Sequence, residues 1–291
     1  MAVIREFASA KINLTLTVCG KRADGFHELA SLTAFADVGD DVTFESGAPP
    51  TVRVGGPFAG ALAGSENLLD RTLALLANDA PRLALGAVHL EKRLPVAAGV
   101  GGGSADAAAL LRAVRAANPE EAASVDWQAI AGRLGADVPV CLERRALWMT
   151  GAGHGLAELV GGLPPLDVLL VNPMARVPAD KTARVFRTLG APPLAADWRA
   201  EPTPVFSDAE ALLAFMQARG NDLEAAACAV VPEAQRVLDV LRADPDVRYA
   251  ALSGAGPTSF AVVRDAAAAH RVRDRIAASS PTWWVAAAVL S

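Results

Sequence analysis

Cysteine is scarce in this chain, and its three copies do not cluster. Cys19, Cys141 and Cys228 lie far apart in the 291-residue sequence, and no CxxC pair occurs. This spacing favours neither a disulfide framework nor a zinc knuckle. We therefore expect a protein of the reducing cytoplasm.

The chain also lacks the features of membrane-directed and polyanion-binding proteins. Its N-terminus, MAVIREFASAKINL, has no basic region followed by a long apolar one, and no uncharged apolar run approaches bilayer-spanning length. The 27 Lys and Arg residues face 32 Asp and Glu residues, giving a net charge of -5. This balance argues against a mainly electrostatic role on nucleic acid or an acidic membrane, although it permits a local basic cleft. We expect a soluble protein, and no obligate protein partner is implied.

What the chain does have is enough apolar sequence for a large core, since 52% of its residues are hydrophobic and 20% are charged. Strand and helix patterns alternate, and GAGHG breaks the pattern after residue 149, so we predict domains 1–155 and 156–291. Strands are predicted at 12–18, 41–45, 51–54, 88–92, 145–149, 167–172, 250–252, 259–263 and 283–290, and helices at 67–78, 181–189, 208–219, 223–230, 233–244 and 265–279.

The first predicted strand leads into a polar turn. Residues 12–18 alternate apolar and polar side chains, which is typical of a strand with one buried face. Lys11 then stands at the beginning of this strand. The following GKRADG supplies turn residues and places Phe26 and His27 just beyond a tight turn.

A glycine cluster lies in the middle of the first half, in LPVAAGVGGGSADAAALLRA from residue 94 to 113. After it, Ser104 is a good N-cap, Asp106 falls in the first turn, and apolar residues recur at helical spacing. A helix is therefore predicted directly after the glycines. Bare backbone amides that lead into a helix N-terminus form a site for phosphate. The alternative is a flexible turn or a close packing contact.

Two familiar phosphate-binding patterns do not fit this stretch. It is not GxxxxGK[ST], and Ser104 stands where a dinucleotide fingerprint has its last glycine. Instead, Pro-x-x-x-Gly-[Leu or Val]-Gly-x-x-Ser-Ala before a helix resembles the central motif of the kinase superfamily named after galactokinase, homoserine kinase, mevalonate kinase and phosphomevalonate kinase.

Further stretches narrow the resemblance, which runs from about Ala8 to Phe260. AKINL followed by GKRADGFHEL, together with GGGSADAA, GADVPV and the closing LSGAGPTSF, resembles the branch that acts on cytidine-diphosphate-linked methylerythritol. The resemblance implies a two-domain α+β kinase fold with mixed and antiparallel sheets and an active site in the interdomain cleft. It also implies that ATP phosphorylates the 2-hydroxyl of that substrate in the non-mevalonate isoprenoid pathway.

Two residues are candidates for the chemistry. Only four of the 27 basic residues are lysines, namely Lys11, Lys21, Lys92 and Lys181. Because the chain uses arginine for its general surface charge, a lysine inside a motif favours a specific role. Lys11 offers an ammonium that can polarise the attacking hydroxyl or stabilise charge on the transferred phosphoryl group; the alternative is a solvated lysine at a strand end. Asp137 in GADVPV can take the substrate proton with Lys11 holding it ionised, or it can be a helix-cap or turn residue.

On the nucleotide side, the resemblance assigns Asn67 and Lys92 to the adenosine surroundings. It assigns the phosphate loop to Pro95, Val96, Ala97, Ala98, Gly99, Val100, Gly101, Gly102, Gly103, Ser104 and Ala105. The Ser104 hydroxyl can also reach Mg²⁺, which we expect ATP oxygens and water to hold otherwise, because the sequence has no carboxylate cluster.

On the substrate side, the residues suggest an aromatic face and an imidazole for recognition of the cytosine base. The resemblance places Phe26 and His27 there, with tyrosine common among relatives at position 26, and adds Asn13, Thr182 and Phe186. Gly254 and Gly256 are predicted to form a second tight turn that presses against the first loop, with an ordinary hairpin as the alternative.

One departure and two alternatives complete these expectations. Relatives commonly show Gly-x-Gly-Glu where this chain has GAGHG, so His154 replaces the acid and no role of that glutamate carries over. A sibling kinase of the homoserine or mevalonate type would share the glycine loop without RADGFHEL. A catalytically silent ligand-sensing protein on this fold would lack Lys11 or Asp137, and both are present.

Overall fold

The structure is a computed structural model that describes residues 2–62 and 67–291. Its strands are β1 (Val3–Asn13), β2 (Thr17–Lys21), β3 (His27–Ser46), β4 (Thr51–Gly55), β5 (Gly86–Glu91), β6 (Leu147–Gly151), β7 (Gly155–Glu158), β8 (Leu166–Asn172), β9 (Val247–Leu252), β10 (Ser259–Val263) and β11 (Trp284–Leu290). Its α-helices are α1 (Leu68–Asp79), α2 (Gly102–Ala117), α3 (Trp127–Leu134), α4 (Val138–Glu143), α5 (Lys181–Leu189), α6 (Ala209–Arg219), α7 (Glu224–Val230), α8 (Pro232–Ala243) and α9 (Ala266–Ser279). In the part of the chain so described, no helix is both long and apolar enough to cross a membrane.

Backbone contacts divide the chain into two compact units. The first consists of Met1–Ala10, Val38–Val96 and Gly101–Arg144, and the second consists of Lys11–Asp37, Ala97–Val100 and Arg145–Ser291. Both units are discontinuous in sequence, whereas the predicted domains 1–155 and 156–291 are continuous stretches. That predicted division stays a prediction.

The first unit packs an alanine-rich helix among three others. Within this unit the last part of β3 pairs antiparallel with β5, and β4 lies parallel to β5. Helix α2 buries every side chain from Ala105 to Leu111 together with Ala113 and Val114, and it packs against α1, α3 and α4. Small alanine side chains allow this close packing on several sides, so α2 is the central helix of the unit.

The second unit contains a sheet built from β8, β9, β10, β11 and the first part of β3. Strand β8 is the middle strand, paired antiparallel with β10 on one side and β11 on the other. Its run of apolar residues is buried, as expected for a strand covered by helices. Leu169 and Val171 pack against Val237 of α8 and against Val272 and Ile276 of α9. The core of this unit thus lies between the sheet and these two helices.

The strand predicted at 12–18 is wrong in its position. Strand β1 ends at Asn13 and β2 begins at Thr17, so Lys11 lies near the end of a strand and not at its beginning. The polar residues do not form a solvated face either, because Asn13 and Thr15 are buried. The Oγ1 of Thr15 accepts a hydrogen bond from the Leu32 amide, and its carbonyl accepts one from the Ser31 hydroxyl. These bonds satisfy the buried polar groups, and the chain leaves the strand there.

Candidate active site

The glycine loop begins in the first unit, passes through the second and returns. In the second unit, Ala97–Val100 lies against the turn Ser253–Thr258. The Thr258 amide donates to the Ala98 carbonyl at 3.0 Å, and the Ser253 hydroxyl donates to the Gly99 carbonyl at 3.1 Å. A Cβ on Gly99 would lie 2.2 Å from the carbonyl oxygen of Gly256, and Gly99 has a φ of +82°. The predicted contact between the two turns is therefore present, and it requires a glycine at position 99.

In the first unit the loop enters helix α2 earlier than predicted. Gly101 adopts a left-handed conformation with a φ of 64°, and the helix begins at Gly102. Ser104 is thus the third helical residue and not the N-cap, and Asp106 lies beyond the first turn. The prediction was wrong because glycine in the left-handed region can turn the chain into the helix without a capping side chain.

The start of α2 has the character of an anion site. The first hydrogen bond of the helix runs from the Ala105 amide to the Gly101 carbonyl at 2.8 Å. The amides of Gly102, Gly103 and Ser104 come before this first bonded amide in the chain. Apart from its chain neighbours and the backbone of its own helix, nothing lies within 4 Å of the position that a Cβ on Gly103 would take. Backbone N–H groups that precede the first helical hydrogen bond, together with the positive end of the helix dipole, suit a phosphate group.

Lys92 lies beneath this helix start in a buried ion cluster. Its Nζ donates at 2.6 Å to Asp40 and at 2.6 Å to Asp106, and Lys92 is only 2% exposed. The other oxygen of Asp40 accepts from the amides of Arg93 and Leu94 at 2.6 and 2.8 Å. Lys92 directly follows β5, so the cluster connects the end of this strand to β3 and to α2.

Two carboxyl groups share one ammonium in this cluster, so the charges balance when one of the two acids keeps its proton. Burial alone lowers the pKa of Lys92, but the charges of Asp106 and Asp40 outweigh it and the net shift is upward. Burial raises the pKa of Asp106 to about 8, since it outweighs the attraction of Lys92 and Asp40 adds repulsion. The ammonium of Lys92 is firmly held by these acids, and the assignment of Lys92 to the adenosine surroundings stays a prediction.

Asn67 caps α1 through its side chain, which accepts from the amides of Leu69 and Asp70.

The candidate catalytic lysine lies in a buried polar chain of the second unit. Lys11 is 3% exposed, and its Nζ donates to the side-chain oxygen of Asn13 at 3.1 Å. The two residues share a strand face because side chains two positions apart point the same way. The side-chain Nδ2 of Asn13 donates in turn to the Ser31 hydroxyl at 2.8 Å. This chain fixes the direction of Asn13 and presents its oxygen to Lys11.

The candidate base lies in the first unit, directly before helix α4. Asp137 is half-buried at the N-cap position of α4, but its side chain makes no capping hydrogen bond with the helix. The helix-cap alternative raised by the sequence therefore lacks the bond that defines it. Its catalytic role stays a prediction.

Aromatic contact in the candidate substrate pocket involves His27 and Phe186. Their ring centroids are 4.6 Å apart with an interplanar angle of 21°, a stacked arrangement. Phe26 is 63% exposed, and Thr182 is exposed in the first turn of α5. Burial lowers the pKa of His27, and the charge of Lys21 lowers it further. The neutral imidazole that results has one donor and one acceptor nitrogen for a pyrimidine edge.

The glycine turn of the second unit has a support that sequence reasoning missed. The side-chain amide of Asn221 donates to the carbonyls of Leu252 and Gly254, each at 2.8 Å. A Cβ on Gly254 would lie 3.1 Å from the side-chain oxygen of Asn13. The sequence around Asn221 and Asp40 does not reveal their roles, because each side chain hydrogen-bonds a segment about 30 or more residues away.

The sequence assigned no metal site beyond Ser104. Residues 2–62 and 67–291 contain no group of three or more His, Cys, Asp or Glu side chains arranged to hold a metal ion. Ser104 is half-buried in the first turn of α2, beside the open amides. A metal at this place would depend on oxygens that a ligand brings with it.

Comparison with known proteins identifies the class. The GHMP kinases N terminal domain matches residues 67–144, and the GHMP kinases C terminal domain matches residues 205–281. A crystal structure of homoserine kinase from Cytophaga hutchinsonii superposes with a TM-score of 0.65 at 16% identity, covering 100% of this chain and 95% of that one, which shows a shared fold. The predicted class of a two-domain α+β small-molecule kinase is confirmed. Kinases of this class use ATP as the phosphate donor.

Closer relatives share one name. The 4-diphosphocytidyl-2-C-methyl-D-erythritol kinase of Azorhizobium caulinodans is 45% identical over 286 residues, covering 97% of each chain, and that of Paracoccus denitrificans is 45% identical over 290 residues, covering 99% of this chain and 97% of that one. A crystal structure of 4-(cytidine 5'-diphospho)-2C-methyl-D-erythritol kinase matches with a TM-score of 0.74 at 31% identity over 99% of both chains. The chain belongs to the 4-diphosphocytidyl-2-C-methyl-D-erythritol kinase family.

The open space at Gly103 generates a test of the phosphate site. Gly103→Ala adds a methyl group in the first turn of α2 that meets nothing beyond its own neighbours and helix backbone, and a phosphate held by the helix amides would be crowded by it. We expect binding of a non-hydrolysable ATP analogue to weaken by about tenfold or more, measured by calorimetry. Gly132→Ala in α3 is the matched control, since its Cβ also meets nothing within 4 Å. Equal affinity of both variants and the parent would show that no phosphate lies at Gly103.

The ion cluster generates a test of stability. Lys92→Met leaves Asp40 and Asp106 buried and facing each other, so we expect a loss of about 3–5 kcal/mol in the free energy of unfolding, measured with urea near neutral pH. Arg93→Met is the control: Arg93 pairs with Asp41 at 2.7 Å on the surface, and its loss should cost about 1 kcal/mol or less. Similar losses in the two variants would contradict the importance of the cluster.

Proposed function

We propose that this chain transfers the γ-phosphoryl group of ATP to the 2-hydroxyl of 4-diphosphocytidyl-2-C-methyl-D-erythritol. The observation that carries the proposal is the 45% identity to curated kinases of that name over 97% of both chains. The homoserine kinase likeness is confined to the fold at 16% identity and gives no support to that alternative. The reaction belongs to cytoplasmic isoprenoid precursor synthesis, and cysteines that form no disulfide among the described residues suit a reducing compartment.

The glycine loop is proposed to bind the nucleotide. The amides of Gly102, Gly103 and Ser104 at the start of α2 suit the phosphate oxygens, and the backbone contact between Gly99 and Gly256 holds the other part of the loop in place. ATP supplies the phosphoryl group when bound. Ser104 would contribute one hydroxyl ligand to Mg²⁺, with ATP oxygens and water as the others.

Lys11 and Asp137 are proposed to perform the chemistry. Asp137 takes the proton from the substrate 2-hydroxyl as its oxygen forms the new bond to phosphorus, and the bond to the leaving ADP oxygen breaks. The ammonium of Lys11, oriented by its hydrogen bond to Asn13, stabilises the negative charge on the reacting oxygens. The buried setting of Lys11 strengthens this interaction, because water screens it little.

The RADGFHEL segment is proposed to recognise the cytosine base. His27 is held neutral, so one imidazole nitrogen donates and the other accepts. Phe186 already stacks on His27, and the exposed Phe26 offers a second aromatic face beside it. The pocket therefore combines stacking with hydrogen-bonding capacity, which a free polyol phosphate cannot use.

Removing the carboxylate should separate chemistry from binding. Asp137→Asn keeps the shape of the side chain but not its basicity, so we expect kcat to fall by about 10²-fold or more with little change in substrate affinity. Lys11→Met should also lower kcat strongly, because the stabilising charge is lost. A coupled assay of ADP release measures both. A kcat within a few fold of the parent for Asp137→Asn would leave Asp137 only a positioning role.

Removing the imidazole should affect the cytidine-linked substrate alone. We expect His27→Ala to raise the KM for 4-diphosphocytidyl-2-C-methyl-D-erythritol by about tenfold or more while the KM for ATP stays near the parent value. Free methylerythritol phosphate should be a very poor substrate of the parent enzyme. His270→Ala, at an exposed position of α9, is the control and should change neither constant. Efficient phosphorylation of homoserine or mevalonate by the parent enzyme would overturn the substrate assignment.

A further inference from the structure

A third buried lysine, Lys181, lies at the contact between the loop and the glycine turn. It is the first residue of α5 and is 6% exposed. Its Nζ donates to the carbonyl oxygen of Gly256 and, at 3.4 Å, to that of Ala97. The ammonium is therefore bound by one carbonyl from Ala97–Val100 and one from Ser253–Thr258, both within the second unit.

The charge of Lys181 is balanced by dipoles and not by an acid. Among the described residues, no carboxylate forms an ion pair with its Nζ within 4.0 Å, whereas Lys92 has two such partners. Burial lowers the pKa of Lys181 to about 8. An ammonium that is buried without a counter-charge is costly, because carbonyl dipoles replace only part of its hydration. An anion that binds beside it would remove most of this cost.

We propose that the ammonium of Lys181 binds a diphosphate oxygen of a ligand that lies against the Ala97–Val100 loop. The inference rests on the proposed function, which supplies two such groups: the phosphates of ATP and the diphosphate of the cytidine-linked alcohol. Lys181 is a compact point charge, and phosphate binding requires charge more than a fixed fork geometry. Lys181 contacts both the Ala97–Val100 loop and the Ser253–Thr258 turn. Its charge therefore lies where these two backbone segments approach each other closely.

A purely structural role is the competing explanation. Lys181 can act as a clamp that joins the Ala97 and Gly256 carbonyls, and such a clamp requires N–H donors without requiring charge. Lys181→Gln retains donors and removes the charge, while Lys181→Met removes both. The two variants together therefore distinguish an anion-binding ammonium from a clamp.

The experiment measures dissociation constants of ADP and of cytidine diphosphate by calorimetry on the full chain at fixed ionic strength. We expect both Lys181→Gln and Lys181→Met to weaken at least one of the two ligands by about tenfold or more. Weakening of ADP assigns the anion to the nucleotide, and weakening of cytidine diphosphate assigns it to the substrate. Arg184→Met is the matched control, because it removes an exposed positive charge from the same helix.

Three results would overturn the inference. These are affinities of Lys181→Gln within twofold of the parent for both ligands, loss of affinity in Lys181→Met that Lys181→Gln restores, and an equal loss in Arg184→Met. Thermal unfolding verifies that each variant folds, and if Lys181→Met does not fold, Lys181→Gln decides alone. Failure of the proposed function is distinguishable, since a parent enzyme that ignores the cytidine-linked alcohol would still reveal whether ADP binding depends on Lys181.

Discussion

The carbonyl oxygen of Gly256 occupies the place that a side chain on Gly99 would need, and this close approach constrains the second unit's part of the glycine loop. Two hydrogen bonds, from Thr258 to Ala98 and from Ser253 to Gly99, hold the backbones at that distance. Because hydrogen-bonded backbone has little freedom to shift, these bonds also fix the conformation of Ala97–Val100. A loop arranged before its ligand arrives loses less conformational entropy on binding.

Lys92 and Lys181 are both buried, and they show opposite solutions to the same electrostatic problem. Lys92 lies between Asp40 and Asp106, whose charges and hydrogen bonds raise its pKa, so it remains charged and its ammonium is held by the protein. Lys181 has carbonyl partners, and burial lowers its pKa. Charge that is compensated within the protein serves mainly to hold structure, while charge compensated only by dipoles is available to a ligand. Sequence alone could not separate them, because both lysines follow an acidic residue.

Periodicity predicted much of the fold, and its failures have local causes. Helix α5 and strand β10 have the bounds that their apolar spacing predicted. The long strand β3 was predicted only at 41–45, and the residues just before it, Gly39 and Asp40, are of types common in turns. In the structure, a Cβ on Gly39 would lie 2.3 Å from the Ala8 carbonyl, so this glycine permits strand contact instead of a turn. The glycine loop was found because its motif is continuous, whereas the Asp40–Lys92–Asp106 cluster joins residues up to 66 positions apart.

Helix α5 shows how one short element can serve two parts of a site. Lys181 at its first position reaches the loop and the glycine turn, and Phe186 five residues later stacks on His27. Five residues span about 7.5 Å along a helix axis and turn by more than one full revolution, so the two side chains leave α5 in different directions. Val185 is fully buried between them in the cluster with Leu223 and Leu238, which fixes the helix. A rigid helix therefore sets the separation between the proposed phosphate-binding ammonium and the proposed base-binding ring, and a change in packing at Val185 would displace both together.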